Sequence, residues 1–321
     1  MNIKRPCFFL SSTIHKLPLL YNLFSPEYRI LLMNKFPLFA DFFQGKALGF
    51  LHRLIDLSIE EDGEDLTSRA VFSPSSSSEA TIMVRQNCII AGLPFIVQIL
   101  DRIPGNTSTT FMASEGSFVS SENIVAVIRG ETVKILKAER IILNLLSRVS
   151  GIATLTQKFR SKLEGSGVRL LDTRKTSPGM RYPEKYAVLA GGGENHRLNL
   201  ESLLMLKDNH IDQCGSISRA VNALKRTYSP CPPIEVECRS LLDVEEAVAS
   251  RVQRIMLDNM SIPEMKKALK LIPGKIESEI SGRVDLDNVE MLASLKPTYI
   301  SSGAVTHSAK PIDLSMKFEV R

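Results

Sequence analysis

The apolar positions between residues 137 and 163 recur every three or four residues on one stripe. Its members are Ile142, Leu145, Leu146, Val149, Ile152, Leu155, Phe159 and Leu163. This period is that of one face of an α-helix, and Gly165, which follows, favours the end of a helix. The pattern predicts one long amphipathic helix over 137–163.

Residues 33–137 mix helical and strand-like patterns over short distances. An acidic turn at 60–65 and a serine-rich stretch at 73–78 precede two strand-like runs, Ala80–Arg85 and Cys88–Ala91. Short polar connections of this kind join the strands of small sheets. We predict a small N-terminal α+β domain, which the helix at 137–163 links to the rest of the chain.

After Gly167, short apolar runs alternate with helical segments of about a dozen residues, the pattern of repeated β–α units around a parallel sheet. The runs are Val168–Leu171, Leu203–Leu206, Ile234–Cys238, Arg254–Leu257, Lys275–Ile280 and Thr298–Ile300. The helical segments are Ile217–Tyr228, Leu241–Ser250, Pro263–Leu271 and Leu286–Leu295.

Polar residues stand at or just beyond the end of each run, as on the rim where β/α barrels place their active sites. No G-x-G-x-x-G motif follows the first run, so a barrel is favoured over a doubly wound open sheet. The predicted fold is therefore α/β, with a C-terminal β/α barrel at 138–300 and a smaller N-terminal α+β domain. Residues 301–321 are expected to complete a phosphate loop of the barrel and to form the C-terminal segment.

The densest group of cations in the sequence belongs to this rim. Its members are Arg174, Lys175, His196, Arg197 and Lys207, with Arg140 on the preceding helix as a possible sixth. Guanidinium groups match carboxylate and phosphate oxygens bidentately, and lysine adds a point charge. Such a set suits a ligand with several anionic groups, although a single Lys or Arg after a strand is usually a solvated loop charge.

Glu237 and Asp258 are the acceptors on the same rim, suited to sugar hydroxyls or to a hard cation such as Mg²⁺. The Ser-Gly turns at 281–282 and 302–303 offer backbone N–H groups to a phosphate. Glu235 faces the same side of its strand as Glu237, which is unfavourable inside a barrel unless the carboxylate is paired. The residues imply a substrate pair with phosphates, hydroxyls and carboxylates.

Charge and hydropathy narrow the function classes. The chain has 321 residues with 40 basic and 35 acidic side chains, and residues 1–53 hold seven of the basic and two of the acidic ones. The whole excess of +5 therefore lies in that segment, and a neutral remainder argues against a nucleic-acid binder. No apolar run reaches the roughly 18–20 residues of a membrane span.

Residues 1–32 look unlike the rest, with three prolines and no apolar period. They are an atypical extension that is either a transit peptide or, as we favour, untranslated because synthesis starts at Met33. The five cysteines include no C-x-x-C pair, so a reducing cytoplasm is the expected location.

From about residue 60 onward, an ordered series of motifs resembles the quinolinate phosphoribosyltransferase family, also called nicotinate-nucleotide pyrophosphorylase (carboxylating). The motifs lie at 139–144, 150–154, 172–179 (DTRKTSPG), 184–187, 191–197 (GGGENHR), 207–211, 235–237, 256–260 and 302–307 (SGAVTH). The resemblance implies a pentosyltransferase that joins quinolinate to phosphoribosyl pyrophosphate with Mg²⁺. The products would be nicotinate mononucleotide, pyrophosphate and CO₂, in de novo NAD biosynthesis.

The resemblance also implies a homodimer with shared active sites, in which each N-terminal domain caps the barrel mouth of its partner. The residues expected to hold the quinolinate carboxylates are Arg174, Lys175, His196 and Arg197, joined by Arg140 across the dimer, with Thr173 beside them. Lys207 would lie between quinolinate and pyrophosphate, and Glu237 and Asp258 would take the ribose hydroxyls or the metal. Lys175, Lys207, Glu237 and Asp258 are the expected catalytic residues.

The 5′-phosphate would be received by the turns Ser281-Gly282 and Ser302-Gly303-Ala304. The chain departs from the family at three positions. Glu64 stands where the family usually has Gly, Arg239 stands where it often has an acidic residue, and Arg283 stands where it commonly has Gly or Asn. Arg283 either adds a phosphate contact or points to solvent. The alternatives are a relative of the same fold that takes nicotinate, an associated transport protein that has lost the activity, and a non-catalytic phosphate-sugar binding module. A substrate with one carboxylate does not need Arg140, Arg174, His196 and Arg197 together, so the charge count favours quinolinate.

Overall fold

The computed structural model describes residues 35–319, so the extension at 1–32 and Met33 lie outside the described residues. The helices are α1 Pro37–Phe42, α2 Gly45–Asp62, α3 Leu66–Val71, α4 Leu93–Leu100, α5 Thr132–Leu163, α6 Arg181–Ala190, α7 Asp208–Cys214, α8 Ile217–Thr227, α9 Leu241–Ala249, α10 Ile262–Leu271, α11 Val289–Ala293 and α12 Ala304–His307. The strands are β1 Ser77–Val84, β2 Cys88–Ile89, β3 Thr107–Phe111, β4 Phe118–Val119, β5 Ile124–Glu131, β6 Arg169–Leu171, β7 Leu204–Leu206, β8 Ile234–Cys238, β9 Arg254–Asp258, β10 Glu277–Ser281, β11 Tyr299–Ser301 and β12 Leu314–Phe318.

The N-terminal domain is built on an antiparallel sheet in the order β12-β1-β5-β3. Its first strand comes from the far end of the chain, because Ala80 of β1 pairs with Phe318 and Val84 pairs with Leu314. We expected the segment at 301–321 to complete the barrel and to form a C-terminal segment. After α12 the chain leaves the barrel and returns to the N-terminal domain, where it forms β12. The strand β12 forms one edge of the N-terminal sheet, beside β1.

The long helix α5 links the two domains and starts five residues before the predicted position 137. It follows β5 without a turn, and Ile135 and Ala138 are already buried in its first part. Gly151 is required further along, since a Cβ there would lie 2.2 Å from the carbonyl oxygen of Lys310. The missing side chain lets the segment leading to β12 pass directly against the helix.

The C-terminal domain is a six-stranded parallel sheet in the order β6-β11-β10-β9-β8-β7. The first strand of the domain lies beside the last, and the others follow in chain order, as in a barrel and unlike a doubly wound sheet. The α/β class with a smaller N-terminal domain is confirmed, and every predicted strand of this domain is present with ends shifted by at most two residues.

Alternation along the strands sorts apolar from charged side chains. Val236, Leu257 and Ile300 are fully buried. Neighbouring residues on a strand point to opposite faces of the sheet. The face opposite to these apolar residues carries Glu235, Arg254 and Glu279 instead of the branched apolar residues usual in a barrel interior. Between residues 35 and 319, no helix is both long and apolar enough to cross a membrane.

Candidate active site

A cavity of about 500 Å³ lies at the carboxyl ends of the parallel strands. Its wall contains eleven of the predicted site residues, namely Thr173, Arg174, Lys175, His196, Arg197, Lys207, Glu237, Asp258, Ser281, Gly282 and Arg283. Four further wall residues were not predicted, namely Met205, Met256, Asn259 and Ser301. The topology therefore brings together groups that are more than 100 residues apart in sequence.

A buried ion pair aligns the two loops that carry most of the cations. Asp172, at the end of β6, accepts hydrogen bonds from Lys185 Nζ and from the backbone N–H of His196 at 2.8 Å. Lys185 Nζ also donates to the carbonyl oxygen of His196 at 3.0 Å, and Asn195 Nδ2 donates to Asp172 Oδ2 at 2.8 Å. Arg174 and Arg197 are thereby held close to each other on the cavity wall.

Burial dominates the electrostatics of this pair. It raises the pKa of Asp172 to about 6, although the charge of Lys185 opposes the shift. It lowers the pKa of Lys185, again against the pull of its partner. Both residues lie within the family motifs, but the sequence indicates no role for either, since the burial of a lysine is not apparent from its neighbours along the chain.

His196 lines the cavity, but both of its ring nitrogens contact protein groups. Nε2 lies 3.1 Å from Glu235 Oε2 and 3.6 Å from Glu279 Oε2, while Nδ1 accepts from the backbone N–H of Arg197 at 2.7 Å. Burial alone would lower the pKa of His196, but the hydrogen bond that its Nε2–H donates to Glu235 and the two carboxylate charges outweigh burial and raise the pKa. In this conformation the ring nitrogens face the barrel interior, so the predicted contact with a quinolinate carboxylate stays a prediction.

The carboxylates of Glu235 and Glu279 are fully buried beside His196. Their oxygens and a histidine nitrogen lie within 4.8 Å of one another, an arrangement that metal sites use. Here Arg254 takes the place of a metal, with Nη1 3.8 Å from Glu235 Oε2 and 3.6 Å from Glu279 Oε2. Arg254 and the Nε2 atom of His196 lie against the two carboxylates and compensate them, which is how this barrel holds charges in its interior.

Glu237, two residues after Glu235, faces the cavity and not this interior cluster. Its carboxylate is ion-paired with Lys207 Nζ across the gap between β7 and β8. Asp258 is half-buried at the end of β9, and its Oδ2 accepts from Asn259 Nδ2 at 2.7 Å. The cavity thus has cations along β6 and the following loop, and two carboxylates along β8 and β9.

The two predicted phosphate turns differ in position. Ser281 and Gly282 line the cavity, and a Cβ on Gly282 would lie 2.4 Å from Asn259 Oδ1. Ser302, Gly303 and Ala304 do not line it, because Ser302 Oγ donates to the carbonyl oxygen of Val284 at 2.6 Å and Gly303 packs behind Lys175. Their role in phosphate binding stays a prediction.

Arg140 is exposed on α5 and is not part of the cavity wall. It forms no ion pair with any residue from 35 to 319, and nothing in one chain tests its predicted role across a dimer. His210 has a structural role, because its Nδ1 accepts from the backbone N–H of Lys207 at 3.0 Å at the start of α7.

The fold and the cavity together are those of an α/β-barrel protein whose cavity carries several cations beside a pair of carboxylates. Comparison with known proteins specifies the class. The family models for the N-terminal and C-terminal domains of quinolinate phosphoribosyl transferase match residues 65–150 and 152–317. The chain belongs to the quinolinate phosphoribosyltransferase family, as its motifs predicted.

Individual relatives agree with the family models. The chain is 37% identical over 252 residues to a probable nicotinate-nucleotide pyrophosphorylase [carboxylating] of Bacillus subtilis, covering 78% of this chain and 87% of the relative. It is 36% identical over 290 residues to quinolinate phosphoribosyltransferase [decarboxylating] 1 of Nicotiana glauca, covering 84% and 82%. The predicted enzyme class, a pentosyltransferase, is confirmed.

Solved structures are similar over the whole described fold. NadC from Streptococcus pyogenes superposes with a TM-score of 0.79 at 36% identity, covering 83% of this chain and 95% of that one. The nicotinate-nucleotide pyrophosphorylase from Francisella tularensis gives 0.81 at 33% identity, covering 86% and 98%. Human nicotinic acid phosphoribosyltransferase, at 0.52 and 12% identity, shares the fold alone.

Proposed function

We propose that the cavity binds quinolinate and phosphoribosyl pyrophosphate together and converts them to nicotinate mononucleotide, pyrophosphate and CO₂, a step of de novo NAD biosynthesis. The observation that carries the proposal is the division of one cavity into a cationic wall and a carboxylate wall. Arg174, Lys175 and Arg197 line the first, and Glu237 and Asp258 line the second. Quinolinate, with two carboxylates on one ring, matches the first wall, and the ribose matches the second.

Arg174 supports the quinolinate assignment more than any other side chain. Its Nε is buried and has no hydrogen-bond partner among residues 35–319. A buried donor without a partner destabilises the protein, so such groups mark places where a ligand supplies the acceptor. Burial lowers the pKa of Arg197, and the charge of the nearby Arg174 lowers it further. Two adjacent guanidinium groups that repel each other gain from a bound dianion.

The carboxylates act on the developing charge. Loss of pyrophosphate leaves positive charge on the ribosyl carbon, which Glu237 and Asp258 stabilise in a cavity that holds their orientation. The cationic wall holds quinolinate with its ring nitrogen aimed at that carbon. Once the nitrogen is alkylated, the positively charged ring stabilises the carbanion left at the adjacent carbon when CO₂ departs, and a proton from solvent then forms the C–H bond of the product. The protein need supply little acid–base chemistry.

Glu237 and Asp258 also fit a magnesium site. Mg²⁺ is usually held by one or two carboxylates together with substrate phosphates, and two carboxylates with no further protein cage are what adjacent strands offer here. The ion would neutralise the leaving pyrophosphate. The protein's own part is to keep the two carboxylates in place. Before substrate binds, Glu237 is ion-paired with Lys207.

We further propose a homodimer in which Arg140 completes the cationic wall of the partner's cavity. Mixing Arg140→Ala chains with Arg174→Ala chains tests this arrangement. If Arg140 acts across the dimer, each mixed dimer has one intact site, and re-association restores about a quarter of the wild-type activity. If Arg140 acts within its own chain, both sites of every mixed dimer are defective and the mixture stays inactive.

A cytoplasmic location is part of the same proposal. Cys88, Cys214, Cys231 and Cys238 are free thiols, as in most proteins of a reducing compartment. Some plant relatives are named as chloroplastic or mitochondrial, so fractionation of the source cells is the direct test.

A nicotinate-specific enzyme is the second candidate, and substrate binding separates it from the first. Calorimetric titration with quinolinate and with nicotinate should show at least about tenfold tighter binding of quinolinate, because one more carboxylate forms charge-assisted hydrogen bonds. Equal affinity for the two acids, or a preference for nicotinate, would overturn the quinolinate assignment.

A further inference from the structure

Arg283 occupies a backbone conformation that side chains rarely adopt. Its φ angle is 51°, and it directly follows Gly282, whose φ angle is 98°. Left-handed backbone is disfavoured for residues with a Cβ, and such conformations concentrate at sites where function requires them. Gly282 has no alternative, because any Cβ would collide with Asn259. At Arg283 a glycine or asparagine would be easier to accommodate, yet the chain has arginine.

The loop holds this conformation from both sides. Asn288 Nδ2 donates to the carbonyl oxygen of Arg283 at 2.8 Å, and Ser302 Oγ donates to the carbonyl oxygen of the next residue, Val284, at 2.6 Å. These bonds fix the backbone of Arg283 between β10 and β11. The residue consequently lies on the wall of the active-site cavity.

Arg283 is a cation on a part of the cavity wall whose other residues are acidic or neutral. Next to it on the cavity wall lie Asp258, Asn259 and Ser281, which are acidic or neutral, while the other cations of the cavity belong to the loops after β6 and β7 and to the segment at 196–197. Arg283 is exposed and forms no ion pair with any residue between 35 and 319. A phosphate at the β10 turn would otherwise have only uncharged donors beside a carboxylate.

We propose that Arg283 is a binding residue for the 5′-phosphate of the ribosyl substrate, held in place by its left-handed backbone. The inference rests on the proposed function, because it names the group that meets one end of phosphoribosyl pyrophosphate. The guanidinium forms charge-assisted hydrogen bonds to the phosphate oxygens and offsets the repulsion from Asp258. It contributes to affinity for the substrate and the nucleotide product, and not to the chemical step.

Two matched variants separate binding from backbone strain. Arg251 is also an exposed arginine with positive φ, 55°, but lies after α9 and away from the cavity wall. Arg283→Gly and Arg251→Gly remove the same side chain from the same backbone conformation, so their melting temperatures should agree within about 2 °C. The KM for phosphoribosyl pyrophosphate should rise about tenfold in Arg283→Gly and stay unchanged in Arg251→Gly, with kcat unchanged in both. Arg283→Lys should recover part of the loss and Arg283→Asn none.

Product binding identifies the phosphate. Calorimetry should show weaker binding of nicotinate mononucleotide to Arg283→Gly, with the affinity for pyrophosphate unchanged. Weaker binding of pyrophosphate alone would place Arg283 at the other end of the substrate and overturn the assignment. An active wild-type enzyme whose two glycine variants share one KM would refute the role of Arg283 and leave the proposed function standing. An inactive wild-type enzyme would refute the proposed function itself.

Discussion

Lys207, which follows β7, forms an ion pair with Glu237 of the neighbouring strand β8. Sequence reasoning had assigned them to different ligands, Lys207 to the quinolinate and pyrophosphate, and Glu237 to the ribose or the metal. The pair keeps a nearly buried carboxylate compensated before substrate binds, since Glu237 is 7% exposed. We expect substrate binding to separate Lys207 from Glu237, so that each side chain contacts a group of the substrate instead.

Glu237→Gln should lower kcat about 100-fold, because the amide keeps the size of the side chain but loses the charge that stabilises the ribosyl cation. Steady-state kinetics with both substrates measures the effect. Glu245→Gln, an exposed change on α9, is the matched control and should match the wild type. A kcat for Glu237→Gln within twofold of the wild-type value would remove Glu237 from the mechanism.

Arg174→Ala should weaken quinolinate binding about 10-fold to 100-fold, because it removes a charge-assisted hydrogen bond from a buried site. Binding of phosphoribosyl pyrophosphate should change far less. Calorimetry on each substrate separately measures both, and Arg226→Ala, on the exposed last turn of α8, serves as the control. Equal losses for the two substrates would show that the cationic wall has been assigned to the wrong ligand.

Lys185→Met should destabilise the protein by roughly 3–5 kcal/mol, because it leaves the buried carboxylate of Asp172 without its partner. Adding Asp172→Asn in the same chain should recover part of this loss, since neither charge then remains buried. Urea denaturation of both variants and of the wild type measures the free energy of unfolding. A double variant less stable than Lys185→Met would contradict the idea that the unpaired charge is the cause.

Glu279→Gln should change stability in a pH-dependent way. Burial and the neighbouring charge of Glu235 raise the pKa of Glu279 to about 7, from an ordinary value of 4.5, against the pull of His196 and Arg254. A group whose pKa is raised by folding stabilises the folded state below its unfolded pKa and loses that contribution as pH rises through the folded pKa. The glutamine variant lacks this loss, so it should gain on the wild type between about pH 4.5 and 7.

Urea midpoints at pH 5.0 and pH 7.5 measure the change. Ser301 and His196 also face Glu279. The variant also removes one of the charges that raise the pKa of His196, so the pH dependence of the difference reports the carboxyl group together with its effect on His196. A difference in midpoint that is the same at both pH values would show that Glu279 does not titrate in this range.

The sequence predicted those parts of the fold that depend on local period. The strand Ile234–Cys238 was predicted with its observed limits, because its apolar residues alternate with Glu235 and Glu237 and such alternation predicts a strand. The last strand, Leu314–Phe318, was not predicted, since its partner Ser77–Val84 lies more than 200 residues away and pairing at that distance leaves no local signal.

The site was predictable to a similar degree. Residues at the ends of strands were found because parallel topology brings them to one rim, and the family motifs named them. The direction of a side chain was not predictable. Glu235 and Glu237 share one face of one strand, yet the first contacts His196 inside the barrel and the second contacts Lys207 in the cavity. That division follows from depth along the barrel, which a sequence does not give.

The most direct test of the account is turnover by the wild-type protein with quinolinate, phosphoribosyl pyrophosphate and Mg²⁺. Nicotinate mononucleotide, pyrophosphate and CO₂ should form in equal amounts, and removal of Mg²⁺ with a chelator should stop all three. Absence of these products at high enzyme concentration, with nicotinate consumed in place of quinolinate, would contradict the account.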